Sequence, residues 1–171
     1  MTKRFLLIFA CLLHTLAFAQ ASSWTYGQTS DKTARYAMTV NDSNGILSQR
    51  CEADQEQCFW SIAISTQCEK DASFPILAST DTGAAHLTVY CGRSFVYNGD
   101  TYYQYFFNFD AVDKLVRSGQ TIGFAMALQS GQFRVVRFDL SNAVKTIDSM
   151  RALASADIDR KPKKKTKDLV L

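Results

Sequence analysis

The chain has 171 residues, with 19 basic and 16 acidic side chains and a formal net charge of +3. Two of the basic residues precede residue 20, and six lie in the last sixteen residues together with three acidic ones, which leaves 11 basic and 13 acidic residues between these segments. A body so close to neutral has no electrostatic footprint for nucleic acid, and we predict no nucleic-acid partner.

The N-terminus is typical of an export signal. Lys3 and Arg4 precede the apolar stretch Phe5–Phe18, and Ala17-Phe-Ala19 places small residues where a signal peptidase reads. We predict a signal peptide over 1–19, cleavage before Gln20 and no membrane span afterwards, since the apolar run is short and interrupted. An uncleaved signal anchor is the alternative. The mature chain is expected to be periplasmic or secreted.

The body from 20 to 155 is rich in strand signals. Alternating apolar residues, aromatics and β-branched residues predict strands at Ser23–Thr29, Ala34–Val40, Ile46–Cys51, Cys58–Ser65, Phe74–Thr80, His86–Cys91, Ser94–Tyr97, Asp100–Phe109, Thr121–Gln129 and Gln132–Leu140. Asn98-Gly99 and Ser130-Gly131 predict tight hairpin turns. In Cys58–Ile64 the bulky residues alternate, which predicts a half-buried strand.

Two segments change to a helical period. Val112, Leu115 and Val116 share one face of a predicted short helix that Asp110 caps and Gly119 ends. Ser141 is predicted to cap a C-terminal helix, in which Val144, Ile147 and Met150 recur at helical spacing. We therefore predict one mainly β domain over 20–155, an antiparallel β-sandwich or partly open barrel with one short helix and a C-terminal helix.

The last sixteen residues, 156–171, are predicted to be a basic, disordered tail, because the lysines of Lys161–Lys167 repel one another. The tail either keeps the protein solvated or contacts an anionic polymer or lipid of the cell envelope.

Four cysteines follow the predicted cleavage site: Cys51, Cys58, Cys68 and Cys91. An even count in an exported domain indicates disulfides, and three connectivities are available. Cys51 and Cys58 lie at the mouth of one predicted hairpin, which favours the pairs Cys51–Cys58 and Cys68–Cys91. The spacing fits neither a zinc site nor a redox motif. Glu52, Asp54 and Glu56 alternate like calcium ligands, but they lack the glycine and closing glutamate of an EF-hand loop.

No catalytic, metal or cofactor motif is present, and we predict that the protein is not an enzyme. His86 is the one histidine after the cleavage site, and it is expected to be a partly buried strand residue. The sequence contains neither a Gly-x-Ser-x-Gly elbow nor a His-Glu-x-x-His helix, although a pair of carboxylates meeting in space stays open.

Aromatic residues are concentrated between Phe95 and Phe109. By alternation, Tyr103 and Tyr105 share a strand face with Phe107, and Tyr102 shares the other with Phe106. The candidate binding residues are Tyr97, Tyr102, Tyr103 and Tyr105. Tyrosines on a wet sheet face would stack sugar rings or form a protein-binding hot spot, and the alternative is that they pack at the margin of the core.

The C-terminal half runs from FDAVDKLVRSGQTIGFAMAL through FRVVRFDLSNAVKTIDSM: a short helix, a pair of strands, a Phe-x-Leu segment and a closing helix. Together with the first cysteine pair, Cys51 and Cys58, this order resembles the invasion-associated locus B family of bacterial periplasmic proteins. The resemblance implies a compact exported β domain with a role at the bacterial envelope.

We therefore expect a non-enzymatic envelope protein that binds a protein partner, either as an inhibitor or immunity protein or as an invasion-associated factor. The alternative is a carbohydrate- or peptidoglycan-binding module that uses the tyrosine-rich strand.

Overall fold

The computed structural model describes residues 24–53, 57–128 and 130–160. Within these residues, nine strands form one antiparallel sheet that is not closed, in the order β1-β2-β3-β4-β7-β6-β5-β8-β9. This confirms the mainly β, antiparallel fold with one short and one C-terminal helix. The elements are β1 (Thr25–Gln28), β2 (Ala34–Val40), β3 (Ile46–Glu52), β4 (Gln57–Ile64), β5 (Ser73–Thr80), β6 (Gly83–Tyr97), β7 (Asp100–Phe107), α1 (Phe109–Ser118), β8 (Thr121–Ala127), β9 (Phe133–Asp139) and α2 (Ala143–Asp159).

The two predicted strands at His86–Cys91 and Ser94–Tyr97 are one long strand, β6. The register with β7 shifts between Cys91 and Ser94, so a bulge interrupts the alternation of side chains there. That local loss of period is why the sequence pattern divided the strand. The Asn98-Gly99 turn is as predicted, with both residues at positive φ.

The residues of β4 from Trp60 to Ile64 are buried on both faces of the strand, although the sequence predicted a half-buried strand. Trp60, Ile62 and Ile64 face the main core. Ser61 lies on the opposite face, where its hydroxyl hydrogen-bonds Ser48 Oγ at 3.1 Å and accepts from Gln104 Nε2 at 3.1 Å. Neighbouring side chains from β3 and β7 therefore cover the face that the pattern left to solvent.

The sheet curls until its two ends approach each other. The Trp24 indole Nε1 donates to the carbonyl of Asp139 on β9 at 2.9 Å, and Asn41 Nδ2 donates to the carbonyl of Arg137 at 3.0 Å. Within the described residues, side chains join the two ends, and no ninth strand pairing links β1 to β9.

Both helices pack apolar residues onto the core face of the sheet. Val112 and Val116 of α1 are buried, with Leu115 partly buried beside them. The buried residues of α2 are Ala143, Ile147, Met150 and Ala154, at helical spacing. No helix in the described part of the chain is long and apolar enough to span a bilayer.

Both predicted N-caps are wrong, whereas Gly119 ends α1 as predicted. Asn108, not Asp110, precedes α1, and its side chain accepts from the Ala111 amide at 3.4 Å. Asn142, not Ser141, precedes α2 and makes no side-chain cap, because it adopts a left-handed conformation. The Ser141 hydroxyl instead donates to Asp139 Oδ1 at 2.7 Å and so closes the preceding turn.

The disulfides are Cys51–Cys58 and Cys68–Cys91, the favoured pairs. Cys51 and Cys58 are register partners on β3 and β4. Cys68–Cys91 fixes the loop after β4 to β6, where the Asp71 amide also donates to the Cys91 carbonyl at 2.9 Å. Two disulfides indicate an oxidising, extracytoplasmic location.

Several predictions fall outside the described residues. These are the signal peptide over 1–19, the lysine run from Lys161 to Lys167, and two of the three alternating carboxylates, Asp54 and Glu56. The C-terminal helix α2 continues to Asp159, four residues past the predicted domain boundary at Ser155.

Gly92 tests the packing at the bulge. A methyl group at Gly92 would overlap the Phe106 ring, so we expect Gly92→Ala to lower the free energy of unfolding by about 1–3 kcal/mol. Gly83→Ala is the matched control, because a Cβ there has no atom within 4 Å. Urea unfolding of both variants measures the difference, and equal stability would contradict this account of the bulge.

Candidate functional site

A partly buried polar cluster, which we call the helix network, lies between the two helices and the sheet. Asp113 of α1 accepts from Arg117 Nε at 2.9 Å, from Gln49 Nε2 at 3.3 Å, from Trp60 Nε1 at 3.4 Å and from Arg151 of α2. Arg151 Nε also donates to Gln49 Oε1 at 2.7 Å. The network joins both helices to β3 and β4.

The charges in this network are mutually satisfied. Burial raises the pKa of Asp113, but hydrogen bonds from Arg117 and Arg151 outweigh it, so the pKa lies below its ordinary 3.8. The hydrogen bonds that Arg117 donates to Asp148 and Asp113 raise the pKa of Arg117. An ionised carboxylate whose lone pairs are occupied by four donors is poorly placed to act as an acid or base, and we interpret the network as structural.

The sheet separates the four predicted binding tyrosines onto two faces. Tyr103 and Tyr105 share one face, as the alternation predicted, and that face is the core face. Tyr105 is 1% exposed and its hydroxyl donates to the Thr66 carbonyl at 2.7 Å, while burial raises its pKa to about 12. Tyr105 therefore presents almost none of its surface to bulk solvent.

Tyr97 and Tyr102 lie together on the other face. The Tyr102 ring stacks on Phe95 with centroids 5.7 Å apart and meets the Tyr97 ring edge-on at 6.4 Å. Tyr102 is buried, whereas Tyr97 is 55% exposed. Tyr97 is thus the one of these four residues that presents most of its ring to solvent.

These two tyrosines border an apolar groove of about 300 Å³ between the β2–β3 turn and the β6–β7 hairpin. We call it the tyrosine groove; its lining residues are Met38, Val40, Asn44, Ile46, Tyr97, Asn98 and Tyr102. Its floor is aliphatic, and its amides come from the asparagines of the two turns. Such a groove accepts an apolar group or the face of a sugar ring.

A second cavity, of about 370 Å³, opens beside the Cys68–Cys91 disulfide. Phe74, Pro75, Met126 and Leu128 line it, and Tyr105 forms part of its wall. Arg134 lies close by and donates to Thr66 Oγ1 at 2.8 Å. The disulfide holds the loop that forms one side of this cavity.

The solvent face of β5, β8 and β9, the three strands at one end of the sheet, is the third feature, and we call it the edge surface. Its residues are Leu77, Ala125, Phe133, Val135 and Arg137, of which all but Arg137 are apolar. Leu77, Ala125 and Val135 are consecutive register partners across three strands. Phe133 is 71% exposed, and Val135 and Leu77 are 45% and 41% exposed.

His86 is exposed, so the prediction of a partly buried histidine is wrong. It lies on the solvent face of β6, beside Leu77 of β5. Its side chain makes no hydrogen bond or ion pair with another described residue, and its backbone belongs to the β5–β6 ladder. Among those residues, no group of three or more histidine, cysteine, aspartate or glutamate side chains could hold a metal ion.

The sequence reading missed both the helix network and the edge surface. Gln49, Asp113 and Arg151 are far apart in the chain and carry no motif, so only their spatial meeting identifies them. One feature of the sequence could have indicated the edge surface. In residues 133–138, FRVVRF, both sets of alternating positions contain apolar residues, so whichever face points to the core, the other face leaves apolar side chains exposed.

The chain matches no known protein-family profile and no curated protein. Among solved structures it is similar to invasion associated protein B from Bartonella henselae, with a TM-score of 0.55 and 16% sequence identity. The match covers 79% of this chain and 96% of that protein. At this identity the likeness shows a shared fold, and it confirms the outline resemblance noted in the sequence.

Asp113→Asn tests the helix network. We expect it to lower the free energy of unfolding by about 1–3 kcal/mol at neutral pH, because Arg117 and Arg151 lose their anionic partner. A carboxylate with a lowered pKa stabilises the fold above its unfolded pKa, and this contribution disappears as the pH falls through the folded value. The difference between variant and parent should therefore shrink below about pH 4.

Denaturant unfolding at several pH values measures this difference. Asp148→Asn is the control, since Asp148 is half exposed and its one ion pair with the described residues is to Arg117, and we expect a loss of less than about 1 kcal/mol. If Asp113→Asn lowers the free energy of unfolding by the same amount at every pH, the charge of Asp113 does not stabilise the network.

Proposed function

We propose that this chain is an exported, non-enzymatic protein of the bacterial envelope, periplasmic or secreted, that binds a protein partner through the edge surface. The observation that carries the proposal is the exposure of Phe133, Val135 and Leu77 side by side on one sheet face. Contiguous apolar side chains on a soluble domain mark surfaces that a partner covers.

The free energy gained by covering the apolar side chains of the edge surface favours a protein partner over a small ligand. Full burial of a Phe, Leu or Val side chain contributes roughly 1.5–3 kcal/mol, so covering the exposed parts of these three contributes a few kcal/mol. The residues of the edge surface line neither of the two cavities described above, whereas small molecules bind in concave sites. Exposed apolar surfaces that include an aromatic residue are typical of protein interfaces.

The compartment of the partner follows from the export features. The N-terminal signal pattern and the two disulfides support an extracytoplasmic protein. The similar Bartonella protein is named for an association with invasion. A partner at the envelope, either an enzyme that the chain inhibits or a protein used during invasion, fits these features.

A carbohydrate-binding module is the second candidate, and the tyrosine groove supports it. Tyr97 presents a half-exposed ring beside the amides of Asn44 and Asn98, and an aromatic face next to amide groups is the usual arrangement for holding a sugar ring. The lysine run at Lys161–Lys167 would add attraction to anionic envelope polymers.

Phe133→Ser tests the protein-binding proposal. We expect a specific protein from an envelope extract to bind the immobilised parent chain and to bind Phe133→Ser at least tenfold more weakly, because the variant loses the largest apolar contact. Purified partner and isothermal titration give the affinities. The control is Tyr26→Ser, a similarly exposed aromatic at the other end of the sheet. Equal losses in both variants would contradict the edge surface as the site.

Tyr97→Ala tests the second candidate without disturbing the core. If the groove holds sugar, retention on peptidoglycan or immobilised glycans should fall about tenfold in Tyr97→Ala, since stacking on one ring contributes about 1–2 kcal/mol. Tyr26→Ala should leave retention unchanged. Retention of glycans by the parent chain, with no protein captured, would favour this function over the first.

A further inference from the structure

The edge strand β9 is closed along one half and open along the other. The Leu140 amide donates to the Gln120 carbonyl, and the Leu128 amide donates to the Gln132 carbonyl. Antiparallel pairing alternates, so the even-numbered residues of β9 direct their backbone groups towards β8 and the odd-numbered residues direct theirs outwards. The carbonyls of Arg137 and Asp139 accordingly accept from Asn41 and Trp24.

The backbone groups of Phe133 and Val135 also face outwards, but they have no such partner within 24–53, 57–128 and 130–160. Unpaired strand edges are templates for another strand, and proteins usually shield them with charge, proline or a covering segment. Here the neighbouring side chains are apolar and exposed instead. The open half of β9 therefore combines free hydrogen-bonding groups with apolar side chains.

The charges beside the open edge have one sign. Arg137 lies on the solvent face in line with Phe133 and Val135, and Arg134 lies on the opposite face. Neither forms an ion pair with a carboxylate of the described residues; Arg134 donates only to Ser65 and Thr66. Both guanidinium groups are therefore available to form an ion pair with an acidic group of a partner.

We propose that the partner contributes an extended segment that pairs with β9 along Phe133–Val135 as a further strand. The segment carries apolar residues at alternate positions, which cover Phe133 and Val135, and a carboxylate that meets Arg137. This inference rests on the proposed function and specifies how the edge surface binds. Backbone pairing supplies affinity and the alternating side chains supply specificity.

A second copy of the chain fits this edge less well. Pairing β9 with β9 along the open half would place Arg134 and Arg137 of both copies along one strand pair, and like charges across an interface are unfavourable. The one carboxylate of β9, Asp139, lies beyond the open half and accepts from Ser141. A segment of different sequence, with acidic residues, complements the edge in both charge and polarity.

The decisive comparison is Val135→Pro with Val135→Ala. Proline removes the outward amide of Val135 without breaking a bond to β8, and an edge strand tolerates it there. Alanine removes most of the side chain but keeps the amide. Tyr26→Pro is the control on the other sheet edge, where the Tyr26 amide also faces away from its neighbour β2.

The probe is a random peptide library displayed on phage and selected on the full chain. We expect selected peptides to alternate apolar residues and to include Asp or Glu. Their affinity, measured by fluorescence polarisation, should be about tenfold weaker for Val135→Pro than for Val135→Ala, and unchanged for Tyr26→Pro.

A second measurement uses the parent chain, so it does not depend on the folding of a variant. N-methylation of successive amides in a selected peptide should weaken binding at every other position, because only alternate amides of an added strand bond to β9. A uniform effect along the peptide, equal affinities for Val135→Pro and Val135→Ala, or no selected peptides would overturn strand addition.

These outcomes separate the two proposals. If Phe133→Ser loses the captured protein while the proline and alanine variants behave alike, protein binding stands and strand addition fails. If no protein is captured, the proposed function itself fails. If light scattering shows a dimer that Val135→Pro converts to a monomer, the occupant of the edge is a second copy of the chain, and the proposal of a different partner is overturned.

Discussion

The carboxylate of Asp113 is the interaction that holds the parts of this structure together. It receives donors from α1, α2, β3 and β4, and so fixes both helices against the core face of a sheet that is not closed. Because Gln49 and Trp60 are fully buried, their polar atoms need partners in place, and the network supplies them. This arrangement holds the helices in the position at which Val112, Ile147 and Met150 pack into the core.

The same arrangement explains why the ends of the sheet differ. The helices cover the core face, and the curl of the sheet brings β9 close to Trp24, which precedes β1, and to Asn41, which follows β2. The side chains of Trp24 and Asn41 donate hydrogen bonds to two carbonyls of β9. Closure stops there, since side chains reach only Arg137 and Asp139. The remaining half of β9 keeps its outward backbone groups and its exposed Phe133 and Val135, and this is where the proposed function and strand addition are located.

The tyrosine-rich strand shows how packing divides a conspicuous sequence feature. Tyr102, Tyr103 and Tyr105 are near neighbours in sequence, but the pleat directs Tyr103 and Tyr105 into the core and leaves Tyr102 beneath Tyr97 and Phe95. Most of the aromatic surface stabilises the domain, and Tyr97 retains the exposed ring. The tyrosine groove therefore depends on the β6–β7 hairpin and on the β2–β3 turn opposite it, not on the tyrosine strand alone.

The sequence predicts the mainly β class, nearly all strand positions, both helices and the favoured cysteine pairs, because alternation, helical spacing, turn residues and hairpin geometry are local. Its predictions fail where the cause is non-local or subtle: the bulge that keeps β6 continuous, the caps at Asn108 and Asn142, and the exposure of His86. The order of strands, the meeting of Gln49, Asp113 and Arg151, and the open half of β9 emerge only in the folded chain. Those features depend on which distant residues the curl of the sheet brings together, and no local pattern encodes that curl.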